Sequence, residues 1–150
     1  MVSIKRIMVP IDWSKSSMGA FEFAGSLARD HNAKLVLLYV VPVPVVMYGP
    51  PPEKYLQHLE EQLARVQPSD PKTQIEHRLC EGNPARVILR EAQDSKCDLI
   101  VMGTHGRTGG KRLLMGSVAE EVVRRAACPV ITVKAGTTSF NRPLSRIGGG

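Results

Sequence analysis

Four short apolar runs and one weakly alternating segment, each followed or preceded by a stretch with helical periodicity, constrain this chain more than any other feature. "KLVLLYVV" is apolar almost throughout, and so is "CDLIVMG". In segments this short, a run without polar alternation predicts a strand covered on both faces, which is the signature of a parallel sheet. Ile7 to Val9 gives a first strand that Pro10 can end, because proline lacks the N–H a ladder needs. "TQIEHRLC" alternates weakly and predicts a third strand, and "CPVITVK" a fifth.

Helical patterns fill the intervals. Ala20, Ala24, Leu27 and Ala28 form the i, i+4, i+7, i+8 stripe of a first helix, with Asp12, Ser14, Ser16 and Ser17 as N-cap candidates. Leu56, Leu59, Leu63 and Val66 mark a second. Asn83 followed by Pro84 reads as a helix start, with Ala85, Ile88, Leu89 and Ala92 inward. Val118, Ala119, Val122 and Val123 predict the inward face of a fourth, and Glu120–Arg124 and Glu121–Arg125 its wet i, i+4 pairs. The order β-α-β-loop-α-β-α-β-α-β implies right-handed crossovers and an open parallel α/β sheet with helices on both faces. Such sheets bind ligands at the carboxyl ends of the strands, where strand order reverses.

Composition narrows the class. With 150 residues and 43% hydrophobic content, one domain with a real core is expected. No apolar run approaches the ~20 residues of a membrane span, and the opening "MVSIKRIMVPIDWS" is broken by Pro10 and Asp12, unlike a secretory leader. A cytoplasmic location, without a membrane partner, is the expectation. Cys80, Cys97 and Cys128 stand in no metal-ligand spacing and read as reduced thiols. The net charge of +6 is spread over helices that also carry Glu. The seven aromatic residues are scattered, so no nucleic-acid platform is expected. From Ala135 the chain turns polar and ends in three glycines, which predicts a flexible tail over 135–150.

One stretch departs from this plain surface. "GTHGRTGGKRLLMGS", Gly103 to Ser117, holds five glycines and three cations and no acid. It leaves the carboxyl end of a buried strand and opens a helix, where backbone N–H groups and the positive end of the helix dipole favour an anion. Gly103, Gly106 and Gly116 permit close backbone approach, and Arg107, Lys111 and Arg112 add charge. It is not a P-loop, since Arg112 follows Gly110-Lys111 where Ser or Thr is required. Nor is it a dinucleotide fingerprint, since "VPIDWS" after the first strand has no glycine.

What the loop does contain is Gly103-x-x-Gly106, nine residues, then Gly116-Ser117. In this the chain resembles the nucleotide-binding branch of the universal stress protein family. The entry "IMVPIDWS" and the closing "GSVAEEVVRRAACPVITV" are similar to that family as well, and the likeness covers about Ile4 to Lys134. The resemblance implies one nucleotide-binding domain over 1–134. Its sheet would be five-stranded, parallel, in the order 3-2-1-4-5, of the Rossmann-like, adenine nucleotide alpha hydrolase-like type. It implies a homodimer through the last strand, Val130 to Val133, and ATP in the cleft between strands one and four, with Mg²⁺ carried on the phosphates. By the same resemblance Pro10 and Asp12 meet the adenosine, and the Val40 backbone reads the adenine edge. Met102, Gly103, His105, Gly106 and Arg107 serve the ribose and phosphates, and Gly116, Ser117, Val118 and Ala119 cradle the triphosphate. Trp13 stands where a small residue or Phe is commoner.

Plainer roles stand beside these. Asp12 and Ser117 can each cap a helix, Val40 can be core alone, and His105 and the cations can be solvated loop residues. Nothing pairs Ser117 with a base, so no nucleophilic triad is formed. ATP hydrolysis calls for a metal held by acidic or hydroxyl groups and a positioned water. The one acid near the cleft is Asp12, at the adenosine end. An ATP-binding switch or sensor in a stress response, with weak or no ATPase activity, is therefore the expected function. The alternatives are a slow ATPase or self-phosphorylating protein using Ser117, Thr104 or Thr108, a binder of AMP or a cyclic nucleotide, and a dimerising module without nucleotide.

Overall fold

The computed structural model describes residues 2–42, 49, 52–105 and 115–136. Along them run β1 (Arg6–Pro10), α1 (Lys15–His31), β2 (Lys34–Pro42), α2 (Glu53–Ala64), β3 (Ile75–Gly82), α3 (Pro84–Asp94), β4 (Leu99–Gly103), α4 (Ser117–Arg125) and β5 (Val130–Val133). The strands form one parallel sheet in the order β3-β2-β1-β4-β5, as the resemblance implied. Most of the proline-rich segment (43–48 and 50–51), residues 106–114 and the tail beyond Gly136 lie outside the described residues.

Alternation along the strands sorts the core into two layers. Ile7, Val9, Leu35, Leu37, Leu99 and Val101 face α1 and α2, packing with Ala20, Phe21, Ala24, Ala28 and Leu63. Met8, Val36, Leu38, Val40, Ile100 and Met102 face α3 and α4, packing with Ala85, Val87, Ile88, Ala92, Ala119 and Val122. Each fully buried Val, Leu or Ile contributes about 1.5–3 kcal/mol relative to exposure, so β1, β2 and β4 anchor the domain. The edge strand β3 is half-buried at most positions, which is why its sequence alternates only weakly. An ionic ladder crosses it: Glu76 meets Arg6 at 3.4 Å and Arg78 at 3.2 Å, and Arg78 reaches Glu91 at 2.8 Å.

Helix starts follow local chemistry. Asn83 caps α3, its side-chain oxygen accepting from Arg86 N, with Pro84 at the first helical position as expected. Two expectations for α4 are corrected. Val123 faces outward and is 45% exposed, because the buried stripe of α4 is narrow and consists of Ala119 and Val122. Of the two expected surface pairs, Glu121–Arg125 is the one that closes, at 3.5 Å.

The switch point lies between β1 and β4. The first two crossovers step outward through β2 and β3, and the next returns to the other side of β1. β1 stays in register with β2 as far as Pro10↔Leu38, but with β4 its register ends at Met8↔Ile100. The two central strands therefore part toward their carboxyl ends, and Pro10, which has no N–H to donate, sits on the parting side.

Candidate functional site

The sequence of turns after β1 is set by three polar side chains. Asp12 Oδ1 accepts from Ser14 N at 2.9 Å, an Asx turn that carries the chain through Trp13 at φ 61°. Ser14, not Asp12, caps α1: its hydroxyl accepts from Ser17 N at 3.2 Å. Ser17 Oγ in turn donates to Ser14 O at 3.1 Å and accepts from Asp12 N at 3.2 Å. A bulky residue at positive φ is costly. Here the Trp13 ring is held against Tyr39, with centroids 4.7 Å apart and planes tilted by 57°. Both rings pack on the α1/α2 layer, whereas Val40 and Met102 belong to the opposite one.

At the end of β4 the chain is pinned on three sides. Thr104 N donates to Val133 O at 3.0 Å, and Thr104 O accepts from Gly116 N at 2.6 Å. The excursion from residue 105 to 115 thus begins and ends at one point, and α4 starts beside the carboxyl end of β4. The His105 carbonyl accepts from the hydroxyls of Ser16 and Ser14 at the start of α1, the latter at 3.5 Å. The His105 ring lies on the Thr104 hydroxyl, Nδ1 to Oγ1 at 3.1 Å. Gly103 is required here for a reason the sequence did not reveal: a Cβ would stand 2.7 Å from backbone atoms of Ser16 and Ser17.

Of the twelve residues singled out from sequence, ten lie within the described residues. They converge on the carboxyl ends of β1, β2 and β4 and the start of α4. Val40, Met102 and Ala119 share one buried cluster, with Val118 packed against it; their side chains serve the core, and their backbones are what remains for a ligand. Pro10 is buried, and Asp12, Gly103, His105 and Gly116 are half-exposed. Gly106 and Arg107, with Lys111 and Arg112, lie outside the described residues. Ser117 is not a cap but the first helical residue of α4, exposed to solvent. The cap position is Gly116, which has no side chain to offer. The first-turn N–H groups of Ser117, Val118 and Ala119 therefore have no intrahelical partner and no side-chain cap from Gly116.

Sequence reasoning offered Ser16 only as a cap candidate for α1 and gave Thr104 no structural role. The signal that could have found them is the cluster Ser14, Ser16, Ser17, which has more hydroxyls than one helix cap consumes. Among the described residues no group of His, Cys, Asp or Glu could hold a metal ion. No described helix is long and apolar enough to cross a membrane. Burial raises the thiols of Cys80, Cys97 and Cys128 above the ordinary range, Cys97 to about 11, and thiols so held are poor nucleophiles at neutral pH.

A doubly wound α/β sheet whose central strands end their register early, with a glycine-capped helix start beside them, is the arrangement at which open α/β sheets hold ligands. Comparison with known proteins names the family. Residues 3–134 match the universal stress protein family, and the chain belongs to it. It is 36% identical over 140 residues to universal stress protein MJ0531 of Methanocaldococcus jannaschii, covering 87% of this chain and 82% of that one. It superposes on universal stress protein UspA from Lactobacillus plantarum with TM-score 0.75 and 27% identity, over 89% of this chain and 99% of that one. A universal stress protein solved in complex with cAMP is similar at TM-score 0.62 and 28% identity, over 89% and 98% of the two chains.

Proposed function

We propose that this chain is an ATP-binding member of the family, acting as a nucleotide-dependent switch or sensor in a stress response, with weak or no ATPase activity. The observation that carries the reading is the start of α4. It lies beside the carboxyl end of β4, with Gly116 as a bare cap. N–H groups at the positive end of a helix suit phosphate oxygens. The parting of β1 from β4 supplies room beside it. That a similar protein holds cAMP supports a nucleotide there.

In this reading Pro10 and Asp12 meet the adenosine and the Val40 backbone reads the adenine edge. Met102, Gly103, His105, Gly106 and Arg107 line the ribose and phosphates, and Gly116 to Ala119 cradle them. Mg²⁺ would arrive on the phosphates, with the exposed Ser117 hydroxyl as its protein contact. The unit is residues 1–134 with 135–150 as an appendage, and its setting is the cytoplasm. It pairs with a second copy through β5, a reading supported by the edge position of that strand, half-buried Val130 and Ile131, and exposed Val123.

A second reading, AMP or a cyclic nucleotide as the resident ligand, is favoured by the cAMP complex. Self-phosphorylation would fall to Ser117 rather than Thr104, which is 5% exposed; Thr108 lies outside the described residues. The test is to denature the purified protein, identify released nucleotide by chromatography, and titrate ATP, AMP and cAMP by calorimetry. ATP binding that Gly116→Val abolishes is expected. No released nucleotide and no heat at millimolar ATP would sink the reading.

A further inference from the structure

We propose that Ser16 is a positioning residue for the loop that leaves β4, fixing the root of that loop through the carbonyl of His105. The clasp stands on geometry; its consequence for binding rests on the nucleotide reading above. Ser16 is 3% exposed, and a buried hydroxyl without a partner is costly. Its bond is not spent on capping α1, since Ser14 does that. It donates instead to His105 O, across 89 residues of sequence. Ser16 also lies directly behind Gly103, where no Cβ fits between them, so it acts on the loop only through the backbone of residues 103–105.

The remaining restraints complete the clasp. Thr104 N is tied to β5 through Val133 O, and Thr104 O holds Gly116 at the start of α4. The Thr104 hydroxyl orients the His105 ring. Three elements thus grip two consecutive residues, Thr104 and His105, and α1's share of the grip is the Ser16 hydroxyl, backed by Ser14 Oγ at 3.5 Å. Loss of that hydroxyl frees one side of the root without touching any surface a ligand would meet.

The experiment uses the full chain as Ser16→Ala, with Ala24→Gly as a control that weakens the buried face of α1 away from the loop. Arg107, Lys111 and Arg112 are tryptic sites within the loop. Nicking there is expected to run about fivefold faster in Ser16→Ala, the equivalent of one net hydrogen bond, and at the wild-type rate in Ala24→Gly. Ser16→Cys, a weaker donor of similar size, should fall between, and stands in if the alanine variant does not fold. By calorimetry Ser16→Ala should lose about fivefold in ATP affinity and none for adenosine, which lacks the phosphates the loop would hold. Nicking at the wild-type rate, or equal acceleration in Ala24→Gly, overturns the clasp. Equal losses for ATP and adenosine overturn its positioning role. If wild-type protein binds neither ligand, the nucleotide reading fails, and the nicking rates still decide the clasp.

Discussion

Two helices begin at the carboxyl end of the same sheet, and they are finished differently. α1 is sealed by its own sequence: Ser14 caps it, Ser17 bonds back to Ser14, and Asp12 closes the turn before it. α4 has Gly116 at its cap position, which offers no side chain to the first N–H groups of the helix. Each end carries the same partial positive charge. One spends its polar groups on holding the fold together; in the reading proposed above, the other meets a ligand's phosphates.

The comparison can be broken first on the sealed side. Gly103→Ala pushes a methyl into the backbone of Ser16 and Ser17 and should cost about 1–3 kcal/mol, read from the urea midpoint. A midpoint equal to wild type would mean that α1 does not approach β4 as closely as described. On the open side Gly116→Asp supplies the missing cap and a negative charge. Stability should rise by a few tenths of a kcal/mol, while ATP affinity drops about tenfold or more, near 1.4 kcal/mol. Opposite movement of the two quantities is the signature sought; unchanged affinity would deny α4 any part in binding. Ser14→Ala should remove about 1 kcal/mol of stability through the lost cap, with an unchanged midpoint counting against its capping role.

The smallest effect lies away from both helix starts. Burial lifts Cys97 to about 11 from 9.0, so the unfolded chain ionises first. Its contribution is full below about pH 9 and fades as pH rises toward 11. The loss is on the order of 1 kcal/mol. Cys97→Ala should flatten the fall of stability over that window, and an identical slope in the variant would assign the fall to other groups.

The sequence carried the frame because its strongest signals were local or periodic. Uninterrupted apolar runs predicted buried parallel strands, and Asn83-Pro84 marked the start of α3 as found. The family likeness, not periodicity, supplied the strand order. What stayed hidden depended on contacts between distant segments. Four residues competed to cap α1, and only the Asx turn at Asp12 decides for Ser14. Val123 fits the inward stripe of α4 by spacing, yet the buried stripe narrows to Ala119 and Val122 and leaves it outside. Gly103 read as a ligand-facing glycine, while the approach of α1 already demands it. Ser16 was invisible as more than a cap candidate because its partner lies 89 positions away.

The most direct test of the contrast between a sealed and an open helix start is calorimetric titration of ATP into wild-type and Gly116→Asp protein, with urea midpoints measured on the same samples. Saturable binding to wild type, lost in a variant at least as stable, is the predicted result. Equal affinities in the two proteins, or no binding to wild type at millimolar ATP, would contradict it.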